Sequence, residues 1–166
     1  MRHRMVGAAR GSLNLAPTVV VDAVSGCAML INREVFDAIG LFDEDYFFTF
    51  EDLDFCLRAR RAGFATILAG AATAYHEGSR SIGAASPQRL YFAARNHLLL
   101  ASRTDSSSGV VASGCRAASI IALNLAHAAI SASGPLGARF LAVAQGTRDY
   151  IVGRVGPAPS DGRLAR

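Results

Sequence analysis

The chain has 166 residues, room for one compact domain with appendages but not for two full enzyme domains with separate cores. Hydrophobic residues make up 51% and charged residues 18%, a balance that excludes global disorder. The net charge of +4 rests on arginine alone, since there is no lysine. That bias fits genomic base composition better than selection for nucleic acid, so no nucleic-acid partner is expected. Arginine beside apolar surface favours anionic headgroups or phosphorylated ligands instead.

Residues 1–18 are basic but broken by polar residues and glycine before any apolar run, unlike a signal peptide, and read as a partly ordered lead-in. Residues 19–31 are rich in β-branched and small apolar side chains and read as one or two buried strands, interrupted near Ser25 and Gly26. Asn32 offers a cap for a short helix over 33–39, ended by Gly40. Residues 41–50 have neither helical nor strand period and read as a loop anchored by its aromatics. Thr49, three residues before Asp52, resembles a capping box opening a helix whose Leu53, Cys56, Leu57 and Arg60 share a face up to Gly63.

Residues 64–68 and 72–76 read as two further short strands around Gly70, followed by a loop to Ser86. Ser86 and Pro87 open a helix, with Leu90, Ala94, Leu98 and Ala101 along one stripe as far as Arg103. Residues 104–115 are expected to be a linker, 116–153 an apolar helical extension interrupted near Gly134, and 154–166 a disordered tail. The most apolar run, 117–130, contains Asn124 and His127 and falls short of the ~20 residues of a membrane span, so a packed or interfacial helix is expected. Cys27, Cys56 and Cys115 are odd in number and widely spaced, which excludes a disulfide framework and a zinc site of Cys-x-x-Cys type. They suit a reducing, cytoplasmic compartment.

Six of the 13 acidic residues lie between Asp43 and Asp54. Repulsion within such a cluster is expected to raise some of their pKa values, as happens where a proton or a metal is held. Asp52 in the first helical turn is the leading candidate for proton chemistry, although an acid there also satisfies helix amides with no catalytic role. Asp43 with Asp45, and Asp52 with Asp54, each match Asp-x-Asp, a pattern too common to establish a cation site by itself, and the further ligands of an EF-hand are missing. His76 closes an expected strand and is either structural or a ligand. Arg95 and Asn96 are either surface residues or a contact to the loops.

The order of these features is more specific than any one of them. Residues 25–64, then 74–81, then 89–100 together resemble the C-terminal half of bacterial inverting glycosyltransferases of family two, particularly rhamnosyl- and galactofuranosyltransferase-like members. The resemblance covers residues 20–103 and implies an α/β fold: part of a GT-A, Rossmann-like domain over 19–103, followed by C-terminal helices. It implies that Asp52 is the general base taking the acceptor hydroxyl's proton, with Glu51 positioning the acceptor or holding the loop. His76 matches a histidine that helps hold a divalent cation, Mg²⁺ or Mn²⁺, on the donor diphosphate. Asp43 falls at the family's Phe-Asp-Glu position, and Ser79 and Arg80 lie in a loop bordering the donor phosphates.

The family's nucleotide-binding half, with its own Asp-x-Asp, has no counterpart here. The chain is therefore expected to be an acceptor-side fragment, inactive without a separately encoded N-terminal half. The implied partners are a nucleotide-sugar donor and a glycan or lipid-linked acceptor of the cell envelope, with peripheral contact at the inner membrane face. The rival expectations are a non-catalytic module that binds a partner or a membrane, and a degraded remnant.

Overall fold

Three long helices carry most of the buried surface, and a smaller layer of two short helices and a two-stranded sheet leans on them. The computed structural model describes residues 18–75, 86–104, 109–131 and 134–158. In chain order these are β1 (Val19–Val21), a single 3₁₀ turn (Gly26–Ala28), α1 (Arg33–Ile39), α2 (Glu51–Arg61), β2 (Thr66–Leu68), α3 (Pro87–Thr104), α4 (Val110–Ile130) and α5 (Leu136–Ile151). The fold is mixed α/β, mostly helical.

The helix α3 begins where Ser86 and Pro87 place it, with the Ser86 hydroxyl accepting from the Gln88 amide at 3.2 Å. Its buried residues include Leu90, Tyr91, Ala94, Arg95 and Leu98, a helical stripe that happens to contain a charge. α5 packs along this stripe at very short range. A Cβ on Gly146 would stand 2.3 Å from the Tyr91 carbonyl oxygen, so only glycine lets the two backbones approach this closely. Beside that crossing the Tyr91 hydroxyl donates to Asp149 at 2.9 Å. Burial, then the bond to Asp149, pushes the Tyr91 phenol above its ordinary pKa. α4 rests more lightly on both partners through Ile120, Asn124 and Ala128, each four residues apart.

α2 lies between two small cores. On one side Phe55 and Ala59 meet Val35 of α1, with Met29, Phe36 and Phe64 packed around them. On the other, Leu53 and Leu57 pack on Tyr46, Leu99 and Leu100. The α1 helix is bounded as its sequence demands: Asn32 Oδ1 accepts from the Glu34 amide at 3.1 Å, and Gly40 leaves the helix at a φ of +76°.

Several expectations need correction. β1 pairs antiparallel with β2, Val20 opposite Ile67, and these two side chains are 74% and 54% exposed. The strands are not buried because the described residues place nothing on that face of the pair. Residues 72–75 form no strand, and His76 lies outside the described residues. Phe50, not Thr49, caps α2; it has left-handed backbone and makes no side-chain capping bond. The expected linker is shorter, since α4 starts at Val110 and runs 21 residues, long enough to reach the length of a membrane span. Residues 154–158 are docked: the Gly156 amide donates to the Asp45 carbonyl at 2.7 Å, and Arg95 donates to the Gly156 carbonyl at 2.7 Å.

Asn96 is fully buried, and its amide nitrogen reaches the carbonyls of Tyr46, Phe48 and Thr49 at 2.8, 2.7 and 3.0 Å. Asn96→Leu keeps the branched outline but takes the side-chain donor from the Phe48 and Thr49 carbonyls and the acceptor from Arg95 Nε, and is expected to lower unfolding free energy by about 2–4 kcal/mol. Arg33→Ala, which removes only the exposed Arg33–Asp37 pair, is expected to change it by less than about 0.5 kcal/mol. Denaturant unfolding of the two variants checks this; equal stability would mean the carbonyls find other partners.

Candidate functional site

The turn leading into α2 contains three non-glycine residues in left-handed backbone: Phe47, Thr49 and Phe50, with φ of 57°, 62° and 73°. Such conformations are uncommon for aromatic and β-branched residues and cost on the order of 1–3 kcal/mol each. The neighbouring helix holds them in place. Asn96 binds the three carbonyls named above, while Arg95, 1% exposed, donates to the carbonyls of Asp45 at 3.1 Å and Tyr46 at 3.0 Å. Arg95 also donates to Asn96 Oδ1 at 2.9 Å, which fixes the orientation of the asparagine. Aromatic contacts complete the anchoring: Phe47 and Phe48 lie against Phe92, and Phe50 stacks on His97 with ring centroids 5.4 Å apart.

The loop's own acids are engaged by arginine. Arg103, near the end of α3, forms ion pairs with both Asp43 and Asp45, and its guanidinium lies 5.3 Å from the centre of the Tyr46 ring. Tyr46 is fully buried and donates to Asp54 at 3.3 Å; burial first, then the Asp54 charge, pushes its phenol well above the usual tyrosine range. Asp54 also accepts from Arg58 Nε at 2.7 Å, and the same guanidinium donates to the carbonyls of Ile39 at 2.7 Å and Leu41 at 2.9 Å. Asp43, Asp45 and Asp54 therefore stitch the loop, α2 and the end of α1 together.

Glu51 and Asp52 remain at the N-terminus of α2, where the helix dipole favours negative charge. Asp52 Oδ1 accepts from the Leu53 amide at 2.8 Å, and Oδ2 accepts from the Gly26 amide at 2.9 Å. The second bond ties the Ser25–Gly26–Cys27 turn to α2, and a Cβ on Gly26 would lie 3.3 Å from that of Asp52. Both bonds use N–H donors, so each oxygen keeps a lone pair to accept a further proton. Glu51 differs: its Oε2 is buried with no hydrogen-bond partner, and burial, reinforced by the Asp52 charge, raises its carboxyl pKa. Desolvation, more than repulsion within the acidic cluster, is the cause.

Of the residues singled out in the sequence, Glu51, Asp52 and Asp43 thus fall on one connected turn. Ser79, Arg80 and His76 lie outside the described residues. Arg95 and Asn96, left open in the sequence between surface residues and a contact to the loops, make that contact. The holding groups that sequence reasoning missed are Arg103, visible as the last cation of the α3 stripe, and the Gly26 amide, in a segment marked as a break between strands. Among the described residues no group of three or more His, Cys, Asp or Glu side chains is arranged to hold a metal ion, and Asp43 and Asp45 already face Arg103. These residues do not fit a cation. An open cleft of about 830 Å³ lies between α2, α3 and α4, with Leu53, Leu57, His97 and Leu100 on its walls; Glu51 and Asp52 do not line it.

The profile described as glycosyltransferase like family 2 matches residues 8–97, more than half of the chain. A stretch of 48 residues, 29% of the chain, is 44% identical to a low-salt glycan biosynthesis hexosyltransferase of Haloferax volcanii and covers 15% of that protein. A stretch of 63 residues, 37% of the chain, is 39% identical to an uncharacterized protein of Sinorhizobium fredii and covers 7% of it. The chain thus matches only a small part of the length of these relatives. No solved structure matches the chain significantly. On the extent of the profile match, the chain belongs to the glycosyltransferase-like family 2.

Proposed function

We propose that the turn before α2 is the acceptor side of an inverting glycosyltransferase of GT-A type, transferring a sugar from a nucleotide-sugar donor to a cell-envelope glycan or lipid-linked acceptor. The observation that carries this reading is the strained, over-determined backbone of Phe47, Thr49 and Phe50, which delivers the Glu51–Asp52 pair to the start of α2. Backbone strain of this kind gathers where a side chain must be held in one place. Rhamnosyl or galactofuranosyl chemistry is the finer form of the proposal.

In this reading Asp52 receives the proton of the acceptor hydroxyl as the oxygen attacks the anomeric carbon opposite the nucleotide. The Gly26 amide fixes the carboxylate, and Glu51 orients the acceptor beside it. Donor binding falls to a separate nucleotide-binding half, with a divalent cation to offset charge on the leaving diphosphate. His76, Ser79 and Arg80 match family positions on that side by resemblance.

Asp52→Asn separates holding from chemistry. Asparagine keeps an oxygen for the Gly26 amide, at the loss of the acceptor for the Leu53 amide, but cannot take up a proton at neutral pH, so in the enzyme completed with a donor-binding half transfer is expected to fall by about 10²–10⁴-fold. Donor affinity should stay nearly constant. Nucleoside-diphosphate release and donor titration measure the two, and retained turnover would remove Asp52 from the role of base.

Glu51 gives a second test. Its carboxyl pKa is raised in the folded state, so the folded chain holds the proton more tightly than the unfolded one. Stability attributable to this group therefore falls as pH rises from the ordinary glutamate range through the raised value, and the penalty is complete above that value. Glu51→Gln is expected to melt higher than the parent at pH 7, with the difference vanishing as pH falls below the ordinary glutamate range. A difference independent of pH would show that charge burial is not the cause.

A further inference from the structure

The helix α4 turns an uncharged apolar face outward and carries polar groups on its inner side. Its buried stripe contains Asn124, whose amide donates to the Ile120 carbonyl of its own helix at 2.8 Å. The partly buried Arg116 turns to the same side and lines the cleft between α2, α3 and α4. On the opposite side, by helical spacing, stand Val111, Ala122, Leu125, Ala126 and Ala129, all exposed, with no charge among them. Along this helix, which is about 31 Å long, only Ile120, Asn124 and Ala128 are buried.

Charge narrows the choice of what covers this face. Residues 109–158 carry Arg116, Arg139, Arg148 and Arg154 and a single acid, Asp149, which is 4% exposed. A second copy seated through the same face would bring no acid to the arginines beside it, because the one acid of these residues is buried. An anionic bilayer suits both the apolar face and the charge. The cleft extends the match, because Leu53, Leu57 and Ile120 give it apolar walls while Arg60, Arg61 and Arg116 are cationic. Arg116, Leu123 and Ile130, seven residues apart, run along one flank of α4, so the cleft continues into the outward face.

We propose that this face docks the protein on an anionic lipid bilayer, with acyl chains against α4 and headgroup phosphates at Arg60 and Arg116. Arg60 now pairs with Asp22, both about half exposed, and a phosphate would compete with that carboxylate. Arg61 is committed to the carbonyls of Arg103 and Thr104 at the end of α3. The proposal does not rest on the transferase reading.

Co-sedimentation of the full chain with vesicles, either pure phosphatidylcholine or containing roughly one-third phosphatidylglycerol, tests it. Binding to the anionic vesicles is expected to be at least about tenfold tighter, and to weaken in ~1 M salt, where charges are screened within about 3 Å. Arg60→Gln and Arg116→Gln should each weaken it about fivefold. The Ala122→Glu/Ala126→Glu double variant places a good helix former at two exposed positions and should weaken binding at least about tenfold with unchanged circular-dichroism melting. Equal binding to both vesicles, or undiminished binding of the double variant, overturns the proposal. So does a concentration-dependent dimer, seen by sedimentation velocity, that the double variant abolishes while vesicles are not bound; the face then belongs to a second copy.

Discussion

The pair of side chains Arg95 and Asn96 decides the shape of everything that precedes α2. Between them they bind the carbonyls of Asp45, Tyr46, Phe48, Thr49 and Gly156, all from one turn of α3. A backbone with left-handed Phe47, Thr49 and Phe50 would relax in isolation, because each such residue costs on the order of 1–3 kcal/mol. Buried hydrogen bonds from a charged donor contribute about 1.5–3 kcal/mol each, and leaving the same carbonyls dry and unpaired would cost as much again. The comparison of magnitudes explains why the strain persists. It also explains why the two polar residues occupy an otherwise apolar stripe.

The same constraint sorts the acidic cluster. Six carboxylates within twelve residues would repel one another if left in a free loop, and Arg103, Arg58, Tyr46 and the Gly26 amide separate them by giving most a partner. Asp43 and Asp45 become the loop's tether to α3, and Asp54 becomes the tether of α2 to α1. Glu51 alone combines a shielded oxygen with no partner. The cluster is thus a structural network with a short functional remainder at its end, which is why a count of carboxylates overstates the catalytic content of this segment.

How much of this was legible can be argued from particular residues. Asn32 and Gly40 bounded α1 correctly because caps act through neighbours in sequence. Ser86 with Pro87 did the same for α3. The left-handed run was not legible, since no glycine or asparagine marks it and its cause lies some fifty residues further along the chain. Thr49 and Asp52 had the spacing of a capping box, yet Asn96 claims the Thr49 carbonyl and Asp52 reaches across to Gly26 instead. The antiparallel pairing of β1 and β2 was equally out of reach, because two short apolar runs contain no information about their relative direction.

The C-terminal helices are part of the site's scaffold and not an appendage to it. Gly146 brings α5 into backbone contact with α3 at Tyr91, one helical turn before Arg95, and the Tyr91–Asp149 bond closes the same crossing. Beyond α5 the chain returns to the loop, where the Gly156 amide binds the Asp45 carbonyl and the Gly156 carbonyl binds Arg95. Arg95 is therefore held from both sides, by the turn it supports and by Gly156, 61 positions later. A buried guanidinium needs all its donors satisfied, so removing the segment after α4 would leave a charge short of a partner in the middle of the clamp. The geometry of Glu51 and Asp52 thus depends on packing that the resemblance over residues 20–103 does not include.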